Sequence, residues 1–395
     1  MPVIEIISWI LGITVTASLC LWVGLGYRLW VMNKSKPVIR EGLDLPNPKG
    51  ESVSIVVPVH NEERVIDCCA ESLRNQTHRD LQIIFVLDRC TDKTKGIVQK
   101  HADEDDRVCL IENDHCPEGW AGKCNAARVG AAKATGEWLL FTDADTQFDK
   151  ELVRCSVASA IKRGASLLSL LSSLTITKNF ERIVQPIAST FLVRQYPVDR
   201  VNRAHKPRPF ANGQFLLFSR KLYEEIGGHN AVKEFLLEDI AFARHICYKN
   251  LGKVQILFAD GMLKCSMYPT FAAFQNGWKR IYIEAATRNV KRLRQSALLA
   301  ILVGLIFPIA GIAGIYVGLQ TSPSLFWTSI ASLIAAVLVI AWLYRINNAP
   351  IIFALFAPIG AAVVAKMFFD SVQILKERTP IRWGGKEYIL EPKKL

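Results

Sequence analysis

The chain has 395 residues, of which 50% are hydrophobic, with a mean hydropathy of +0.20 and a formal net charge of +12. That length admits one sizeable domain plus accessory segments, and that hydropathy argues against a purely soluble protein. The cations crowd the edges of apolar blocks and are not interleaved with aromatics on one face, which argues against a nucleic-acid partner.

Residues 4–30 are apolar apart from Glu5, scattered Ser and Thr, and Arg28, a run long enough to cross a bilayer. The start, Met1-Pro2-Val3-Ile4-Glu5, has no basic region of the kind that opens a cleaved signal peptide, so residues 1–30 are expected to be a retained anchor. Arg28, Lys34, Lys36 and Arg40 border it. Residues 51–290 have the mixed polarity of a globular domain. Three further apolar blocks, 297–319, 325–344 and 350–369, occupy residues 297–370, and a basic tail covers 371–395. Lys279, Arg280, Arg288, Lys291, Arg292 and Arg294 precede the first of them. The positive-inside tendency then puts the domain on the cytosolic side of a multi-pass membrane protein, with a bacterial inner membrane as the expected location. Four full crossings would leave the tail outside, whereas Lys376, Arg378, Arg382, Lys386, Lys393 and Lys394 favour the cytosol. Block 350–369, with Pro350, Pro358 and Lys366, is the one expected not to cross simply.

Within the domain, residues 52–59 form a near-continuous β-branched run, expected to be a strand buried on both faces. An amphipathic helix through Val65, Ile66 and Leu73 follows, then a strand over 81–87 ending at Asp88. Thr91-Asp92-Lys93-Thr94 starts a helix through Ile97 and Val98, with Asp92 as its cap rather than a ligand. A short strand over 108–111, an Ala-rich helix over 124–134 and a strand over 137–141 complete the pattern. This alternation predicts an α/β fold with a doubly wound, mostly parallel sheet. Ligands bind such sheets at the carboxyl ends of the strands, where Glu62, Asp88, Asp143 and Asp145 fall. Two acids as close as Asp143 and Asp145 are costly there unless solvated, paired or holding a cation. The ten cysteines include no Cys-x-x-Cys pair and are expected to be reduced apolar fillers.

Val57-Pro58-Val59-His60-Asn61-Glu62-Glu63, Val86-Leu87-Asp88-Arg89-Cys90-Thr91-Asp92, Thr142-Asp143-Ala144-Asp145 and Leu236-Leu237-Glu238-Asp239 resemble, in this order, the stations of glycosyltransferase family 2, whose fold is GT-A. Glu118-Gly119-Trp120-Ala121-Gly122-Lys123 is similar to a segment of hopanoid-associated and carotenoid-acid glycosyltransferases. Met267-Tyr268-Pro269 with Gly277-Trp278-Lys279 resembles the carotenoid-acid branch. Arg382-Trp383-Gly384-Gly385-Lys386-Glu387-Tyr388 loosely resembles a tail found there and in ceramide glucosyltransferases. The family's Gln/Arg-x-x-Arg-Trp motif is broken: Gln275-Asn276-Gly277-Trp278 has no Arg before the Trp, and Lys279 or Arg280 is left to supply the charge.

The resemblance implies an inverting transferase that moves a sugar from a nucleotide-sugar donor, a UDP-sugar first, to a lipophilic acceptor such as a carotenoid, hopanoid or sphingolipid. A processive polysaccharide synthase and an inactive lipid-pathway scaffold are the competing readings. It implies Mg2+ or Mn2+ on Asp145, with Asp143 nearer the ribose or a bridging water. Asp88 takes the base, with Pro58, His60 and Glu62 as the opposite wall, although His60 can equally be a packing residue. Lys123 approaches the diphosphate, or is a solvated surface residue. Gln214 of Asn212-Gly213-Gln214 touches the sugar or makes a loop hydrogen bond, and Gln275 and Trp278 belong to the broken motif. Asp239 is the general base and Glu238 the less favoured of the pair, because neighbours on a helix diverge by about 100°. Trp120 stacks on the sugar or packs toward the membrane. Residues 183–193 form an interfacial or a core helix, in which Pro186 is expected only within the first turn.

Overall fold

The computed structural model describes residues 3–203, 208–266 and 268–393; Met267 and Lys394, named above, lie outside the described residues. Helix α1 (Val3–Lys34) precedes the domain. β1 (Val53–Val59), α2 (Ile66–Arg74), β2 (Leu81–Asp88), α3 (Thr94–Glu104), β3 (Val108–Asn113), α4 (Gly122–Ala131) and β4 (Trp138–Phe141) then alternate, in the order the hydrophobic runs predict. The domain continues through β5 (Thr146–Phe148), α5 (Leu152–Arg163), β6 (Leu167–Leu171), β7 (Ser173–Leu174), α6 (Asn179–Gln195), α7 (Val198–Val201), β8 (Leu216–Ser219), α8 (Arg220–Glu225), α9 (Glu238–Lys249), β9 (Val254–Phe258), β10 (Leu263–Cys265) and α10 (Phe271–Ala285).

The main sheet has the order β3-β2-β1-β4-β8-β6-β9. β8 runs antiparallel to both neighbours and the other pairs are parallel. The continuous apolar runs are explained by burial on two faces. Ile55, Val57, Ile83 and Phe85 pack with Leu73 of α2 and Val153 of α5 on one side. Val56, Ile84 and Val86 pack with Ala126 of α4 and Phe242 of α9 on the other. Successive strand residues point to opposite faces, so a strand sandwiched by helices has no polar position to spare. Gly130 lets α4 lie directly on the sheet, since a Cβ there would meet Val56 and lie 2.9 Å from Val86 Cγ2. The fold class read from the sequence holds.

Beyond the domain lie α11 (Val290–Ile301), a π turn over Leu302–Ile306, α12 (Phe307–Thr321), α13 (Pro323–Ile346), a 3-10 turn over Ile351–Phe356, α14 (Ala357–Glu377), and a hairpin of β11 (Ile381–Trp383) and β12 (Lys386–Tyr388). Four segments among the described residues are long and apolar enough to cross a membrane: Val3–Lys34, Val290–Thr321, Pro323–Ile346 and Ile351–Glu377. α1, α12 and α13 pack as a bundle through small and hydroxyl residues, as helices in lipid do. Ser8 Oγ lies 3.1 Å from Thr321 Oγ1, Ser332 Oγ 2.9 Å from Ser18 Oγ, and Gly314 faces Ser329.

α14 behaves differently. α13 ends against the domain, where Tyr344 Oη donates to Ile183 O of α6 at 2.7 Å. α14 then starts beside Gly304, which abuts Ala361, and lies with Gly360 on Ile183 and Ile187. Further along, Phe368 stacks on Tyr282 of α10 at 4.0 Å. α14 runs along α11 and lies against α6 and α10 of the domain.

α6 corrects one expectation. Pro186 sits in the helix interior rather than its first turn. Proline there removes the donor for the Arg182 carbonyl, and the helix around it is held by other contacts. Tyr344 Oη and Tyr282 Oη donate to the carbonyls of Ile183 and Ala188, the latter at 3.2 Å, and Val184, Gln185 and Ala188 are buried.

Candidate active site

The carboxyl ends of β1, β2 and β4 line one edge of the sheet. Because β8 is antiparallel, pairing Leu216 with Phe141, the loop that enters it brings Asn212, Gly213 and Gln214 to the same edge. Thr142 Oγ1 donates to Gln214 O at 2.7 Å and lies 3.0 Å from Thr146 Oγ1, fixing this loop beside Asp143 and Asp145. α4 and α9 start at this edge and deliver Lys123 and the pair Glu238-Asp239.

Lys123 is not a surface residue. Its Nζ lies 2.7 Å from Asp143 Oδ1 and 2.7 Å from Glu238 Oε1, with the lysine side chain 18% exposed. Asp239 turns the other way: Oδ2 accepts from Gly213 N at 2.7 Å and Oδ1 from Ile240 N at 2.7 Å. The neighbours do diverge, but Glu238 is the one beside Asp143 and Asp239 supports the Asn212–Gln214 loop. Burial, then the Glu238 charge, pushes the Asp239 carboxyl up to about 7.

Glu62 and Asp145 are carboxyls whose ionisation is opposed by burial and by neighbouring acids. Burial, then Asp143, pushes Asp145 up to about 7, and burial, Asp143 and Asp92 push Glu62 up to about 7. Asp145 Oδ1 is buried without a hydrogen-bond partner. Charged groups of this kind fit a hard divalent ion with oxygen ligands. Among the described residues no three His, Cys, Asp or Glu side chains converge closely enough to hold an ion unaided.

Asp88 is buried and fully engaged: it accepts from Arg89 Nε at 3.1 Å, Arg89 Nη2 at 2.6 Å and Asn113 Nδ2 at 2.9 Å. His60 Nδ1 lies 2.6 Å from Asp88 O, and Pro58 is half-buried near the end of β1. Asp92 is structural as expected, accepting from Thr94 N at 3.0 Å and Glu63 N at 3.1 Å. Gln214 accepts from Ser172 Oγ and donates from Nε2 to Cys265 Sγ at 3.0 Å. Trp278 is buried, its Nε1 donating to Gln185 Oε1 at 3.3 Å, and neither it nor half-buried Gln275 has a described hydrogen bond to the acidic cluster. Trp120 packs under Arg128, whose guanidinium lies 5.0 Å from its ring.

The sequence reading missed three features. The C-terminal hairpin lies on the Asp88 edge of the site: Arg89 Nη2 donates to Gly384 O at 3.2 Å, Gly122 N donates to Tyr388 Oη at 3.3 Å, and Lys386 Nζ reaches Cys116 Sγ at 2.9 Å. Arg280 stacks on Trp383 at 4.3 Å, with Nε and Nη1 buried and unpartnered. A cavity of about 1230 Å³ opens beside Asn212 and Gln214 and runs between membrane helices, past Leu25, Leu29, Val303 and Leu343.

Residues 54–227 match the family described as Glycosyl transferase family 2. Over 268 residues the chain is 21% identical to the 4,4'-diaponeurosporenoate glycosyltransferase of Staphylococcus haemolyticus, covering 67% of this chain and 69% of that one. It is 33% identical over 95 residues to the GalNAc(5)-diNAcBac-PP-undecaprenol beta-1,3-glucosyltransferase of Campylobacter jejuni, covering 24% and 30%. The match to glycosyltransferase GlyA of Streptococcus pneumoniae covers 26% of this chain and 14% of that one, so the chain spans well under half of several curated relatives. Among solved structures, the mannosyltransferase PcManGT of Pyrobaculum calidifontis, in complex with GDP-Man and Mn2+, is 18% identical with a TM-score of 0.46, covering 88% of this chain and 98% of that one.

Proposed function

We propose that the protein is an inverting glycosyltransferase that moves a sugar from a nucleoside diphosphate sugar, a UDP-sugar first, to a lipophilic acceptor held in the membrane. The observation that carries this reading is the continuity of the acidic cluster, through Asn212 and Gln214, with a large cavity walled by membrane helices. An acceptor with a long apolar chain lies in that cavity with its polar end at the cluster. The similarity to a diaponeurosporenoate glycosyltransferase supports a carotenoid-like acid or alcohol, with hopanoids and sphingolipids as the other candidates. The basic borders support a cytosolic domain, in a bacterial inner membrane.

Asp145 and Asp143 are the residues to hold Mg2+ or Mn2+, which when bound neutralises charge on the leaving diphosphate. Glu62, Pro58 and Asp88 line the nucleotide end, and Lys123 meets the diphosphate. Gln214 faces the sugar, and Gln275 and Trp278 stand at the acceptor side, where Trp278 borders the cavity. Asp239 takes the acceptor proton as the acceptor oxygen attacks the anomeric carbon from the face opposite the diphosphate; the carbon–phosphate oxygen bond breaks and configuration inverts. A carboxyl raised to about 7 is well matched to that task. An acceptor carboxylate is already ionised and needs no base.

The test is incubation of the full chain in lipid nanodiscs with labelled UDP- and GDP-sugars, Mn2+ and bacterial lipid extract, followed by mass spectrometry of the lipids. Transfer to a chloroform-soluble product is expected. Donor binding with transfer only to water-soluble acceptors would refute the lipid reading.

A further inference from the structure

Lys123 is pulled in two directions. It is the cation between a carboxylate on the donor side, Asp143, and one on the acceptor side, Glu238, at 2.7 Å from each. Asp143 remains 32% exposed, whereas Glu238 is 5% exposed and has no other described side-chain partner. The ammonium reaches this position because residue 213 has no side chain: a Cβ there would lie 3.1 Å from Nζ. Gly122, immediately before Lys123, is packed so closely that a Cβ would lie 2.9 Å from Arg89 Nη2 and 3.1 Å from Asp88 Oδ2. The backbone of Lys123 is thus tied to the Asp88 edge while its head group is tied to α9.

A nucleoside diphosphate placed against Asp143 brings at least two negative charges to an ammonium that already holds two carboxylates. Lysine carries a compact charge on a flexible stem with three donors, so it can trade one partner for another without moving the backbone. We propose that Lys123 is an exchange residue. With the donor site empty it clamps Glu238 to Asp143. When a nucleoside diphosphate sugar binds, Lys123 passes the hydrogen bond made to Glu238 over to the diphosphate, and Glu238 is released toward the acceptor. Lys123 is then a positioning residue that links donor arrival to the acceptor side. This rests on the donor reading given above.

The exchange makes Glu238 a competitor of the donor, which gives a test independent of turnover. Binding of UDP and of GDP is measured by calorimetry, with Mn2+, on the full chain in nanodiscs, for the wild type, Glu238→Gln, Lys123→Met and the double variant. Glu238→Gln is expected to bind the preferred nucleotide about tenfold more tightly, within the usual range of coupling between sites. The gain is expected to vanish when Lys123→Met is also present. Lys123→Met alone leaves two carboxylates without their cation, so melting temperatures are followed. The double variant has a matched neutral pair and carries the comparison if the single variant does not fold. Equal or weaker binding by Glu238→Gln, or a gain that survives Lys123→Met, overturns the exchange while leaving the donor reading intact. Absence of any nucleotide binding to the wild type overturns both.

Discussion

Glu62 is placed so that burial and neighbouring acids oppose its ionisation, and Glu62→Gln is expected to separate stability from function. The carboxyl is raised from its ordinary 4.5 to about 7 by burial, then by Asp143 and Asp92. A folded-state value above the unfolded one means that the fold is most stable below pH 4.5 and loses stability as pH rises to about 7. At about 1.4 kcal/mol per unit, the shift corresponds to about 3 kcal/mol at pH 8. Glutamine removes that penalty and keeps the backbone bonds of the loop, in which Glu62 N donates to Thr94 Oγ1 at 2.9 Å and Glu62 O accepts from Val65 and Ile66 at 3.0 Å. For a domain of this size the gain is a rise of roughly 6–12 °C in melting temperature. Differential scanning fluorimetry of the metal-free, donor-free protein at pH 8 and pH 4 measures it. A clear rise at pH 8, little change at pH 4 and weaker donor binding are expected. An unchanged or lower melting temperature at pH 8 would show that Glu62 is not held as an uncompensated anion.

Asp239→Asn is expected to cut turnover with an alcohol acceptor by about three decades; in the wild type that rate should climb with pH through about 7, since the base must be ionised. A loss of less than about tenfold would point to a carboxylate acceptor or remove Asp239 from the proton step. Val303→Trp, which projects bulk into the membrane cavity, should abolish lipid glycosylation and leave slow donor hydrolysis in place; equal loss of both would argue against the cavity as the acceptor path. If α14 turns back on the domain without crossing, a cysteine at Lys393 should react with an impermeant maleimide from the same side of the membrane as Cys68, an exposed cysteine of the domain; labelling from opposite faces would show that α14 crosses.

What was legible in the sequence follows from how local each signal is. β1 and β2 could be read because burial on both faces demands unbroken apolar runs, and the acids beyond them could be placed because strand ends define one edge. The roles of Glu238 and Lys123 were not legible. Helical geometry says that adjacent residues diverge, but which one faces Asp143 depends on where α9 docks. The interior place of Pro186 could not be read locally because two contacts that hold its helix, from Tyr282 to Ala188 and from Tyr344 to Ile183, span 94 and 161 residues. Cys265 looked like filler, and only the pairing of β10 with β5 sets its thiol beside Gln214 and Asp145. Composition alone could not show that α14 packs on α6, α10 and α11, because those partners are set by the tertiary fold.

The hairpin against Arg89, Gly122 and Cys116 has a consequence for assembly. It follows α1, α11, α12, α13 and α14 in the chain, so each of those apolar helices is made before it. The Asp88 edge of the sheet is therefore covered only after those helices have left the ribosome, and a chain halted earlier presents that edge bare.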